Sequence, residues 1–192
     1  MRVIRRAEQS EMPWKNGGGT TREIAASPAG AALDAFDWRI SVARVASDGP
    51  FSRFAGIDRS LTVIEGNGMV LDFGDGRSAC LTVADPPLAF AGDVPCSARL
   101  IDGAIGDLNV MTRRGSWRAD VVANASLPLL GDPRTDTLLV YLIEGTARAG
   151  ASDLCAGDAL LLEPGDQAQS ITGAPAARVA FVRLIAVNRP SP

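Results

Sequence analysis

The sequence predicts an all-β protein made of two antiparallel β-sandwich or jelly-roll units. Three observations carry this. Apolar and polar residues alternate in short runs bounded by Gly, Pro, Asp or Asn, the two-residue period of half-buried strands. The 20 Gly and 12 Pro make 32 of 192 residues, above the usual combined share of about 12%, so the chain turns often. An internal echo completes the case. Ile64-Glu65-Gly66 is followed by Ala91-Gly92-Asp93, and Ile143-Glu144-Gly145 by Ala156-Gly157-Asp158, as in a duplicated β-unit.

Taken in order, residues 29–35 read as one short helical turn. Residues 36–45 form a strand with Trp38, Ile40 and Val42 on one face and Arg39, Ser41 and Ala43 on the other. Ser47-Asp48-Gly49-Pro50 closes that strand, since Gly and Asp accept turn dihedrals and Pro does not continue a central ladder. Further strands are expected at 61–64, 69–73, 79–83, 108–112 and 117–122, then at 137–143, 159–162 and 177–187. Two lobes, 1–125 and 126–192, divide a single unit spanning 1–192. Exposed barrel strands are compatible with a homodimer.

Composition removes several function classes. There is no histidine, which excludes Ser-His-Asp triads, Cys-His dyads and every His-containing metal site. Cys80, Cys96 and Cys155 contain no C-x-x-C and read as reduced packing residues. A net charge of −3 with mixed signs offers no basic stripe, so nucleic acid is not an expected partner. No run of about 18 apolar residues and no apolar stretch behind the N-terminal charges occurs, which points to a cytoplasmic protein without a membrane partner. Of 19 cations, Lys15 is the one lysine.

Three segments carry candidate chemistry. In Pro13-Trp14-Lys15-Asn16-Gly17-Gly18-Gly19-Thr20-Thr21-Arg22, the glycines permit close backbone approach and their amides suit an anion-binding nest. Lys15, Asn16, Gly18, Thr20 and Arg22 are the candidate ligands, the cations offering a point charge and a planar fork. The alternative is a flexible turn before an edge strand, with Lys15 and Arg22 solvated. It is not a P-loop, which would place Lys after the last glycine. In the second segment, from Trp38 to Arg59, either Arg39 and Ser41 enter a barrel interior or they face outward. Arg59 beside Asp58 reads either as a ligand contact or as half of an ion pair. In the third, Asp107, Asn109 and Met111 share one strand face. Asp and Asn are poor strand formers, which suits a polar pocket or a solvent-facing strand.

Leu154-Cys155-Ala156-Gly157-Asp158 leading to Glu163-Pro164-Gly165 resembles the hairpin of cupin barrels, with Gln167, Gln169 and Ser170 where a metal-binding cupin would place histidine. The three segments PWKNGGGTTREI, WRISVARVASDGPFSRFAGIDRSL and GDLNVMTRRG resemble the HutD/Ves family of bacterial proteins. That resemblance implies a bicupin fold in one compact unit and, in the HutD branch, a link to histidine utilisation, while the missing histidines point to a cupin without metal or cofactor. It implies binding of a small carboxylated metabolite, urocanate or a formyl- or formimino-glutamate, and a regulatory role. Lys15, Arg22 and Arg59 would neutralise a carboxylate while Asn16, Thr20, Ser41 and Asn109 select shape. The alternatives are a metal-independent enzyme, with Lys15, Glu65, Asp107 or Tyr141 as base, and a module that contacts a regulatory protein partner.

Overall fold

The computed structural model describes residues 1–187. The described strands are β1 (Arg2–Ile4), β2 (Glu11–Pro13), β3 (Gly19–Ser27), β4 (Trp38–Val45), β5 (Gly49–Pro50), β6 (Ile57–Glu65), β7 (Met69–Phe73), β8 (Ser78–Leu81), β9 (Leu88–Ala91) and β10 (Cys96–Leu100). They continue as β11 (Ile105–Arg113), β12 (Trp117–Ala125), β13 (Leu129–Gly131), β14 (Thr137–Glu144), β15 (Thr146–Ala149), β16 (Ser152–Cys155), β17 (Ala159–Leu162), β18 (Gln169–Gly173) and β19 (Arg178–Ala186). A single 3-10 turn covers Arg6–Glu8. Among the described residues no helix is long and apolar enough to cross a membrane.

The chain divides into a central unit, Ser10–Trp117, and a terminal unit that joins Met1–Gln9 to the chain from Arg118 onward. The central unit has a six-stranded sheet, β2-β3-β4-β11-β6-β9, and a four-stranded sheet, β5-β10-β7-β8. The terminal unit has a five-stranded sheet, β1-β17-β14-β19-β12, and a four-stranded sheet, β13-β18-β15-β16. Adding eight to each strand number converts β4-β11-β6-β9 into β12-β19-β14-β17 and β5-β10-β7-β8 into β13-β18-β15-β16. The protein is therefore an eight-strand motif built twice, with β2 and β3 added to one copy and β1 to the other.

Local chemistry explains these elements. The E-G pairs of the echo end β6 and β14, where Gly66 and Gly145 take positive φ values of 89° and 86° and turn the chain from one sheet of the unit into the other. Pro50 does lie in a strand, yet at the free edge of its sheet, where its missing N–H costs no ladder bond. The G-D half of the echo is not equivalent in position: Gly92-Asp93 follows β9, whereas Gly157-Asp158 precedes its counterpart β17. The counterpart of Asp158 is Asp85, and each carboxylate accepts the amide three residues before it, Thr82 N at 2.8 Å and Cys155 N at 3.1 Å.

Each unit has its own apolar core. In the central unit Leu61 and Val63 of β6 pack with Met69, Leu71 and Phe73 of β7, joined by Leu81, Phe90 and Ile105. In the terminal unit Leu138, Val140 and Leu142 of β14 pack with Leu160, Leu162, Ile171 and Val179. Each such side chain contributes about 1.5–3 kcal/mol on burial.

Three expectations change. Residues 29–35 hold separate turns, closed by Ala31 N on Pro28 O (3.1 Å) and Ala35 N on Ala32 O (3.0 Å), too short to nucleate a helix. Strands β1 and β2 occupy the first 13 residues, where none was expected, ahead of β3, which runs from Gly19 to Ser27 as the strand after the glycine turn. The units also differ from the expected lobes 1–125 and 126–192. Strand β12 opens the second copy, and Trp117-Arg118 at its start repeats the Trp38-Arg39 that opens β4. The first nine residues join the terminal unit because β1 pairs with β17, and Asp158 accepts from Arg6 N (2.9 Å) and Arg5 Nη1 (2.8 Å).

Candidate functional site

Side chains directly opposite one another in a sheet share a face. On one face of the six-stranded sheet, successive rungs place Asp107 between Ala43 and Val63, Asn109 between Ser41 and Leu61, and Met111 between Arg39 and Arg59. Strand β3 extends this face with Thr21, opposite Ala43, and Glu23, opposite Ser41. The result is a barrel interior that is apolar at Val45, Ile105 and Val63 and polar further along the same strands.

The polar part opens into a cavity of about 530 Å³. Arg39, Ser41, Arg59 and Asp107 form its buried wall, while Lys15, Asn16 and Ser52 lie at its exposed rim. That volume falls within the range of small-molecule sites.

Arg59 dominates the electrostatics. It is 6% exposed, and its guanidinium carbon stands 5.2 Å from the ring centre of Phe51, 5.8 Å from Phe54 and 5.1 Å from Phe90. Its polar contacts are long: Nε donates to Asn109 Oδ1 and Nη1 to Ser52 O, each at 3.4 Å. Among the described residues no carboxylate lies within ion-pair distance of it. Burial lowers its pKa, opposed by the charge of Asp107. Arg39 differs, because its Nε donates to Glu23 Oε2 at 2.7 Å.

Asp107 is 2% exposed, and no donor among the described residues reaches its carboxyl, since Ala43 and Val63 flank it. Desolvation pushes its pKa up to about 7 from an ordinary 3.8, against the opposing pull of Arg59. Among the described residues Asp107 is the one carboxyl that lines the cavity, and Glu23 on the same sheet face is engaged by Arg39. A lone carboxyl beside Arg59 and Lys15 does not fit a metal ion, and no group of three His, Cys, Asp or Glu side chains gathers among the described residues.

Of the eight residues singled out from sequence, Lys15, Asn16, Ser41, Arg59 and Asn109 line the cavity. Gly18, Thr20 and Arg22 do not. Thr20 and Arg22 sit opposite Arg44 and Val42, on the other face of the sheet, and Arg22 lies 4.0 Å from Glu11. Thr21, accepting from Trp14 Nε1 at 2.8 Å, takes the place expected of Thr20. The glycine turn is no open nest: Gly17 N donates to Trp14 O and Gly18 N to Asn16 Oδ1, each at 3.0 Å. Tight packing explains two of the glycines, since a Cβ on Gly18 would meet Ser47 Oγ at 2.7 Å and one on Gly19 would strike Arg44 O and the Trp14 ring. Asp107, Arg39, Phe51 and Phe54 join the wall, and the alternation of β4 and β11 was the signal for the first two.

Residues 6–181 match the HutD family, which covers most of the chain. Over 119 residues the chain is 40% identical to an uncharacterized 21.2 kDa protein of the hutC 3' region in Pseudomonas putida, spanning 62% of each chain. It is 37% identical over 139 residues to protein Ves of Citrobacter koseri, spanning 71% of this chain and 70% of that one. The solved structure of HutD from Pseudomonas fluorescens SBW25, in a formate condition, superposes with a TM-score of 0.81 at 33% identity, over 97% of this chain and 99% of that one. YhhW from Escherichia coli, 8% identical with a TM-score of 0.68 over 98% and 99% of the two chains, shares the fold alone. The chain belongs to the HutD family.

Proposed function

We propose that this member of the HutD family binds a small carboxylated metabolite in the central-unit cavity and acts as a regulator of histidine utilisation. The observation that carries this reading is Arg59: a buried cation with no carboxylate partner among the described residues, held by three rings at the wall of a cavity. Such a charge is costly to bury alone, and a ligand carboxylate offsets that cost through paired, charge-assisted hydrogen bonds. Lys15 at the rim supplies a second cation, while Asn16, Ser41 and Asn109 offer hydrogen bonds along the wall. Urocanate, formylglutamate and formiminoglutamate all carry the required carboxylate. The relative in the hutC 3' region supports a place beside histidine utilisation.

Isothermal titration of wild type, Arg59→Leu and Lys15→Ala with these three compounds and glutamate tests the reading. Selective binding by wild type, lost in Arg59→Leu and weakened in Lys15→Ala, is expected. No binding to any of the four, or equal affinity in all three proteins, overturns it. One observation favours a second reading, an enzyme: Asp107, with a pKa near 7 at the cavity wall, is poised as a general base. NMR of the same mixtures separates the two, because turnover at substoichiometric protein requires catalysis.

A further inference from the structure

The cavity holds two buried groups of opposite chemistry, and the carboxylate reading uses only one of them. Asp107 faces the cavity with its carboxyl unpartnered among the described residues, two side-chain rungs from Arg59 on the same sheet face. Four strand positions separate Arg59 from Val63, the residue opposite Asp107, or roughly 13 Å along the strand. The Arg59 side chain leans back across part of that gap, since its Nε reaches Asn109 on the intervening rung. A carboxyl and a guanidinium are thus presented to one small-molecule-sized space without neutralising each other.

We infer that Asp107 is the specificity-determining residue of this site, taking an N–H of a cationic nitrogen group while Arg59 holds the carboxylate of the same ligand. The inference rests on the carboxylate reading above and narrows it: the ligand is a zwitterion-like molecule with an acid at one end and an amidinium, imidazolium or comparable N–H cation at the other. The flanking residues make the choice sharp. Ala43 and Val63 give Asp107 no donor, so an N–H cation satisfies the ionised carboxyl through a charge-assisted bond, whereas a neutral ligand oxygen meets only the protonated form, through a weaker neutral bond. Asn109 and Ser41, on the rung between, accept or donate and do not discriminate by charge.

The protonation of Asp107 then couples to binding. The charged and titratable groups around it are Arg59 from β6, Arg39 paired to Glu23 from β4 and β3, and Lys15 from the rim, with Cys96 of β10 interacting electrostatically with Arg59. Burial moves the Cys96 thiol up, away from neutrality. A cationic ligand stabilises the ionised form of Asp107, so binding expels the proton that burial had retained and tightens as pH rises from 6 to 8.

The test compares formiminoglutamate with formylglutamate, which share a skeleton and differ in an N–H cation against a carbonyl oxygen, on wild type and Asp107→Asn. Titrations at pH 7 in buffers of different ionisation enthalpy count protons. Wild type is expected to prefer the formimino compound at least tenfold and to release roughly half a proton per site. Asp107→Asn, isosteric and checked by its melting curve, is expected to lose both the preference and the proton release while still binding through Arg59. Retention of the preference in Asp107→Asn, tighter binding of the formyl compound by wild type, or proton uptake overturns the inference and leaves the carboxylate reading standing. Failure of wild type to bind either compound, urocanate or glutamate overturns both.

Discussion

The two copies of the eight-strand motif have the same strand order and opposite interiors. Strand β6 pairs with β11 so that Glu65 faces Gly106, and β14 pairs with β19 so that Glu144 faces Arg178. Counting from these matched positions, Arg59 in the central unit corresponds to Leu138 in the terminal unit. Asp107 corresponds to Val179 and Asn109 to Phe181. Leu138 and Val179 belong to the terminal core and Phe181 packs against it. The comparison teaches that the scaffold does not require a polar interior. At three matched strand positions one copy presents Arg, Asp and Asn to a cavity and the other presents Leu, Val and Phe to its core.

Exchanging residues between the copies is the most severe way to break this comparison. Leu138→Arg places an unpaired guanidinium in a filled core and is expected to cost more than about 4 kcal/mol, abolishing the terminal unit's folding by circular dichroism. Arg59→Leu, the reverse change, is expected to leave the denaturation midpoint unchanged or higher, because a buried lone cation is removed. Comparable losses in both variants would erase the distinction between the interiors.

The pH dependence of Asp107→Asn follows in size. In the folded chain the Asp107 carboxyl keeps its proton up to about pH 7, while unfolded it would release it near its ordinary 3.8. The native state therefore binds more protons between these values, and its stability falls as pH rises through that window. Removing the acid is expected to raise stability at pH 8 by at most about 4 kcal/mol and by nothing at pH 3, as read from urea midpoints.

The matched turns give a smaller contrast. Burial alone would raise the pKa of Asp158, but the amides of Arg6 and Cys155 and the guanidinium of Arg5 hold it below the ordinary carboxylate value. Asp158→Ala is expected to cost about 1–3 kcal/mol, with the loss present in wild type as pH falls below the carboxylate range. Asp85→Ala, which frees only groups of Thr82, is expected to show a smaller shift in the same thermal melt. Least of all, Lys15→Ala is expected to change stability by no more than about 0.5 kcal/mol while weakening ligand affinity, since Lys15 is exposed at the rim.

Much of this architecture was legible in the sequence, for a reason visible in β4 and β11. Their two-residue period separates polar wall residues from apolar ones, so Ser41 and Asn109 stand out as candidates in the sequence itself. Parity fails at β3, where Thr20 and Arg22 are the expected ligands but Thr21 lines the cavity, with Glu23 on the same sheet face. The period alone does not say which face is inward, and the bulge between Glu23 and Ala25 shifts the register partway along the strand. The glycine run was read as an anion nest, although turn bonds and close packing consume the features that suggested it. The pairing of β1 with β17 was beyond reach, because three residues carry no period and the partner lies far along the chain.

That last pairing sets an order of assembly. Synthesis proceeds from the N-terminus, so Arg2–Ile4 leave the ribosome long before Ala159–Leu162, their partners in the sheet, have been made. The central unit, whose strands all lie between, is complete while the first segment still waits. Arg2–Ile4 are thus among the last of these residues to find their place, and the five-stranded sheet closes only once Arg178–Ala186 have been made.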